Sequence, residues 1–134
     1  MFMTQIPDLH ELAALHARFD VEAFCFVSQG LRHAAKLHRS ARKSGSSRHL
    51  NAQQLVDGVI DLAADRFGLL AELVLRSWGV RTSEDVGVIT FALIDSKVFS
   101  KQPSDRLEDF YGGPEFPLAL SERVRARLAV AETL

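Results

Sequence analysis

Apolar residues recur at three- and four-residue steps along almost the whole chain, the spacing of one buried face of an α-helix. Asp8 with Glu11 makes a capping-box-like start, and Leu9, Leu12 and Ala13 give a short first helix. Asp20 caps a longer second helix carried by Val21, Phe24, Val27, Leu31, Ala34 or Ala35, and His38. That helix is expected to fray near Arg42, where Ser44-Gly45-Ser46-Ser47 has flexible-linker composition. Asn51 and Gln54 open a third helix through Leu55, Val56, Val59, Ile60, Ala63 and Phe67, with Gly68 as its stop. A short fourth helix runs about Leu69 to Trp78 and closes at Gly79.

Thr82 or Ser83 caps the fifth helix, and Glu84 and Asp85 suit the positive end of its dipole. Val86, Ile89, Leu93 and Ile94 form its inner stripe, widened by Phe91 and Val98. After Phe99 the pattern breaks at Pro103, Gly112, Gly113, Pro114 and Pro117. Ser121 to Thr133 forms the closing helix, with Arg123, Arg125 and Arg127 spread around it. The pattern therefore predicts a mainly α protein: one domain, 1–134, built as a compact bundle of five to six helices. A flexible basic linker lies at about 40–50 inside it, and there is room for a small hairpin or wing near residues 98–117.

At 134 residues the chain suits a single domain, of a size that buries roughly two-thirds of its unfolded surface. Nine Phe, one Trp and abundant Leu, Val and Ala supply the core. No run approaches the ~18 apolar residues of a membrane span. Met1 to Pro7 lacks the basic and apolar regions of a secretory signal, so a cytoplasmic protein without a membrane partner is expected. Cys25 is the only cysteine, which excludes an internal disulfide, and its neighbours Phe24, Phe26 and Val27 suggest a buried inert thiol.

Charge changes the picture more than composition does. Between Glu22 and Asp57 there is no acidic residue, yet Arg32, Lys36, Arg39, Arg42, Lys43 and Arg48 fall there with His33, His38 and His49. The chain is formally −1, so everything outside this +6 stretch carries −7. Solvated surfaces usually intersperse both signs, so the separation points to a polyanionic or acidic partner. Arg32, Lys36, Arg39 and Lys43 follow i, i+4, i+7, i+11 and would share one helix face, extended by Arg42, Arg48 and His49 as an arm. Such a ridge can neutralise phosphates, while the lack of nearby exposed aromatics argues for backbone contact without base stacking. RNA, DNA or a ribonucleoprotein is the first expectation for the partner. The alternative is an acidic protein surface, with the chain acting as an adaptor or homo-oligomer.

Signs of catalysis are few. No HExxH arrangement and no histidine pair at i,i+4 is present, and His33 and His38, five apart, are expected to point away from each other. No phosphate-cradling glycine loop or GxSxG elbow appears. No metal site or cofactor is expected, and a binding protein is favoured over an enzyme. Asp57, Asp61 and Asp65 stack along one helix face at i, i+4, i+8. They could hold a divalent cation or serve as half of an acid/base site. The plainer reading is an acidic stripe, solvated or neutralised by Arg66, Arg76 or the basic segment.

Leu75 to Gly79-Val80 followed by a capped helix resembles a helix-turn-helix, with Ser100 to Arg106 as the wing of a winged-helix regulator. Glu84 and Asp85 on the first turn of the would-be recognition helix oppose this, because phosphate would repel them. Asp105, Arg106 and Asp109, with Lys101 nearby, form a charged knot in the loop. It is either fixed by an Arg106–Asp109 pair or offered as a docking surface.

Taken in order, Arg48-His49, Gln54-Leu55, Phe67-Gly68, Trp78-Gly79-Val80, Ser83-Glu84-Asp85 with Gly87, Ser100-Lys101, Asp105-Arg106 and Asp109-Phe110 make a pattern over roughly residues 19–116. It resembles an uncharacterised bacterial family of single-domain proteins, described chiefly from planctomycetes and verrucomicrobia, with no assigned activity. The resemblance implies no catalytic residue. Val86 and Val88 depart from the aromatic and acidic residues expected there, and the basic linker before Arg48 is longer and more cationic. Trp78 before Gly79 is expected to anchor the core at a helix end, while Arg48-His49 has a structural or a binding role.

Overall fold

The computed structural model describes residues 1–3, 9–39 and 50–133. Among these, the chain runs through β1 (Phe2–Met3), α1 (Leu9–Leu15), α2 (Val21–Leu37) and α3 (Ala52–Phe67). A 3-10 turn at Gly68–Leu70 leads into α4 (Ala71–Ser77), followed by α5 (Ser83–Asp95) and β2 (Phe99–Ser100). A second 3-10 turn at Leu107–Phe110 precedes α6 (Phe116–Thr133). The result is a mainly α bundle. Among the described residues no helix is long and apolar enough to cross a membrane.

The long helices begin where a side chain satisfies the free amides of the first turn. Asp20 accepts from the Glu22 amide at 2.9 Å. At α3 the box closes in both directions: the Gln54 amide donates to Asn51 Oδ1 at 2.8 Å, and the Asn51 amide to Gln54 Oε1 at 3.0 Å. Thr82, not Ser83, caps α5, with Thr82 and Asp85 exchanging bonds at 3.2 and 3.1 Å. The Ser83 hydroxyl instead donates to the Phe110 carbonyl at 2.8 Å. The expected Asp8 start and the 40–49 linker lie outside the described residues.

Two boundaries differ from the sequence pattern. α2 stops at Leu37, short of Arg42, because His38 leaves the helix and turns its ring toward Asp57 on α3. α6 starts at Phe116, ahead of Ser121, and Phe116 and Leu120 are buried. Pro117 does not break it, since a first-turn amide has no intrahelical acceptor to lose. The hairpin or wing expected near 98–117 is not formed. Phe99–Ser100 pairs antiparallel with Phe2–Met3 instead, in the register Phe2 to Ser100 and Met3 to Phe99.

α3 is the axis of the bundle. It packs on α2 most extensively and also on α4, α5 and α6. Leu55, Val56, Val59, Ile60, Leu62, Ala63 and Ala64 are all buried, so apolar positions wrap most of its circumference, as in a helix enclosed by neighbours. Trp78, half-buried at the end of α4, completes a ring cluster with Phe26 and Phe67 at centroid distances of 5.5 and 5.8 Å, an anchoring role in line with its position before Gly79.

α2 and α3 meet through missing side chains. A Cβ at Gly58 would stand 2.7 Å from Ala34 Cα and 2.9 Å from Ala34 N, while one at Gly30 would meet Val59 Cγ2 at 2.6 Å. The obstruction at Gly58 is backbone, which cannot rotate away. Gly58→Ala should therefore destabilise by a net of up to ~2 kcal/mol, an overpacking cost of ~1–3 being offset by about 1 of helix propensity. Urea unfolding checks this, and a raised midpoint would contradict so close an approach.

Candidate functional site

Arg32 and Lys36 lie one turn apart on the exposed side of α2, so their side chains project together. Facing them from α3 is Arg66, whose guanidinium carbon sits 5.6 Å over the Phe26 ring and which donates to Gln29 Oε1. The Gln29 amide in turn donates to Cys25 Sγ at 3.4 Å. Arg66 is thus held from beneath by a ring and from the side by an amide, with part of its edge still in solvent. Between these groups opens a cleft of about 400 Å³, walled by Gln29, Arg32, His33, Lys36 and Arg66 above buried Leu62. No carboxylate stands on its wall among the described residues. Arginine and lysine side chains present donors there, which suits an anion.

The acidic stripe of α3 has other partners. Arg123 Nη2 donates to Asp57 Oδ1 at 2.5 Å, and its Nη1 to Asp61 Oδ1 at 2.8 Å. Arg127 donates to Asp61 Oδ2 and to Asp65 Oδ1, both at 3.0 Å. Two guanidiniums one turn apart on α6 thus interleave three carboxylates of α3. From α2, His33 Nε2 lies 2.6 Å from Asp61 Oδ2, and His38 Nε2 lies 3.1 Å from Asp57 Oδ2. The His38 contact has ion-pair proximity without hydrogen-bond geometry.

Asp61 is the buried member of this latch. Burial pushes its carboxyl up, but hydrogen bonds from His33 and Arg123 and the charges of Arg127 and Arg123 outweigh it, leaving the group below its ordinary 3.8. For Arg123, burial works against the charge, while Asp61 and Asp57 raise its pKa further. Among the described residues the stripe therefore meets Arg123, Arg127 and two histidines of the basic segment, His33 and His38, and neither Arg66 nor Arg76. Arg66 serves the cleft, and Arg76 pairs with Glu72 at 3.6 Å. With these oxygens engaged, the stripe is not an open cation site, and no cluster of three His, Cys, Asp or Glu fit for a metal occurs among the described residues.

Of the predicted ridge, Arg32 and Lys36 share the cleft, while Arg39 is exposed in the turn beyond α2 and does not continue the helical face. Arg42, Lys43, Arg48 and His49 lie outside the described residues. His33 and His38 both face the acidic stripe, because His38 is past the helix end and escapes its periodicity. Arg123 and Arg127 are four apart and share a side, a spacing that mirrors Asp57/Asp61/Asp65 and was available in the sequence. Cys25 is only half-buried.

In the loop, Lys101 Nζ lies 5.8 Å over the Phe91 ring. Asp105 accepts from the Gln102 amide at 2.8 Å, and Asp109 accepts from the Arg106 backbone amide at 3.0 Å, so no guanidinium–carboxylate pair fixes this turn. Gln53 reaches the Asp109 carbonyl at 2.8 Å and ties the loop to α3. The first turn of α5, the part a recognition helix would present, is covered by its own chain. Asp85 is buried under Arg81, Thr82 and Arg18, and Glu84 accepts from the Gly112 amide at 3.1 Å.

Compared with protein-family models, curated proteins and solved structures, the chain matches none.

Because the folded Asp61 binds its proton less tightly than the unfolded one, its contribution to stability is complete above pH 3.8 and lost as pH falls through the lower folded value. Asp61→Asn should cost about 2 kcal/mol at neutral pH, less than a fully buried pair because Arg123 and Arg127 keep solvent access. It should also flatten the acid limb of stability against pH. Chemical denaturation across pH 2–7 reads both, and an unchanged acid limb would remove Asp61 from its assigned place.

Proposed function

We propose that the chain is a cytoplasmic, non-enzymatic binding protein whose α2–α3 cleft takes the phosphate backbone of a nucleic acid. The observation that carries this is the donor-lined cleft around Arg32, Lys36 and Arg66, bordered by no carboxylate among the described residues. Arg123 and Arg127 support it indirectly, since they neutralise the acidic stripe of α3. A pre-positioned guanidinium loses less freedom on meeting a phosphate than a mobile one. Arg32 and Lys36, about 6 Å apart along the helix axis, can reach neighbouring charges of a strand. No Phe, Tyr or Trp lines the cleft wall, and the His33 ring is turned to Asp61, so contact is to backbone and carries no base sequence.

The test is a salt titration against a non-specific RNA strand, a DNA strand and a duplex. Affinity should fall steeply with salt. Arg32→Glu with Lys36→Glu should reduce the slope of log K against log salt by about 1.5, from ~0.7–0.9 per phosphate contact. Arg125→Glu, an exposed site on α6, should leave it unchanged. Absence of binding to all three at low salt, or indifference to the double reversal, overturns the reading.

A further inference from the structure

His33 belongs to two structures at once. It forms part of the cleft wall with Arg32, Lys36 and Arg66, and its Nε2 lies 2.6 Å from Asp61 Oδ2 in the latch. Among the residues of that wall it is the one whose type changes charge near neutral pH. The contact with Asp61 also decides the tautomer. Guanidiniums of Arg123 and Arg127 hold that carboxylate in its ionised form, so its oxygens accept and Nε2 must carry the hydrogen. The proton that comes and goes is then the one on Nδ1. Gaining it makes the ring a cation without breaking the bond to Asp61.

Taking the α2–α3 cleft as the phosphate site, on which this inference rests, we infer that binding of a strand is coupled to uptake of a proton by His33, so that affinity rises as pH falls. Charged groups surround the ring from three helices. Arg32 and Lys36 share the wall from α2, Arg66 shares it from α3, and Asp61 of α3 holds Nε2 while Arg123 and Arg127 of α6 hold Asp61. His38 pairs with Asp57, and Asp65 with Arg127, further along the stripe. A phosphate seated among the three wall cations offsets their charge at the ring and favours the imidazolium. By linkage the imidazolium favours the phosphate by the same factor. Both oxygens of Asp61 already accept from guanidiniums, so the added charge is not needed to match that carboxylate and is left to act on the cleft. The wall then passes from three cations to four.

The test is binding of an oligouridylate strand by the full chain from about pH 5.5 to 8 at fixed ionic strength. Phosphodiesters and uracil keep a constant charge over this range, so any change belongs to the protein. The wild type should bind about tenfold tighter at the acid end. Its slope of log K against log salt should steepen there by about 0.7, the share of one further phosphate contact on a single strand. His33→Gln, whose amide can still donate to Asp61, should bind like the wild type at the alkaline end and lose the pH dependence. His38→Gln, outside the cleft wall, should keep it. A reading that needs no variant comes from NMR of the His33 ring protons, whose titration midpoint should move to higher pH when the strand is bound. No binding at any pH overturns the cleft and this coupling together. Equal affinity at both ends of the range, a pH dependence that survives in His33→Gln, or an unmoved His33 midpoint leaves the cleft standing and overturns the coupling alone.

Discussion

Asp61 sits on the helix that the rest of the bundle encloses, and a carboxylate there must be matched or neutralised. The match comes from three directions: a guanidinium from each of two turns of α6 and an imidazole from α2. Because those groups belong to the first long helix and the last one, satisfying one carboxylate fixes both against α3. Apolar packing alone would hold the helices together but tolerate sliding. A bidentate set of charges tolerates little, since a one-turn slip would leave an ion without its partner.

The latch also shapes the surface. Arg123 and Arg127 neutralise the α3 carboxylates on the α6 side, so the α2 cations border a cleft whose wall has no negative charge among the described residues. Arg66 is drawn to the same cleft by Phe26 and Gln29. The Phe26, Phe67 and Trp78 rings that stiffen the end of α3 therefore also brace one wall of the proposed phosphate site. Core and candidate site are coupled through one aromatic cluster.

At the opposite extreme of polarity, the most exposed leucines among the described residues lie just after α3 ends, where Gly68 turns the backbone at a φ of 54°. That turn exposes Leu70 and sets Leu69 on the wall of a hollow that the early start of α6 at Phe116 completes. The exposed leucines and the donor-lined cleft thus lie on different parts of the molecule.

Much of the architecture follows from local rules readable in the sequence. Helix identity, the caps at Asp20, Asn51 and Thr82, and the stacking of Asp57, Asp61 and Asp65 depend on neighbours within about four residues. The missed features depend on distant ones. His38 turns toward α3 because Asp57 is there to receive it, and β2 forms because the chain's first residues lie alongside it. The pairing of the acidic stripe with Arg123 and Arg127 joins positions more than sixty residues apart. Periodicity fixes which side of a helix a charge occupies. Only tertiary packing decides what stands opposite, because Coulomb attraction and hydrogen bonding act through space and not along the chain.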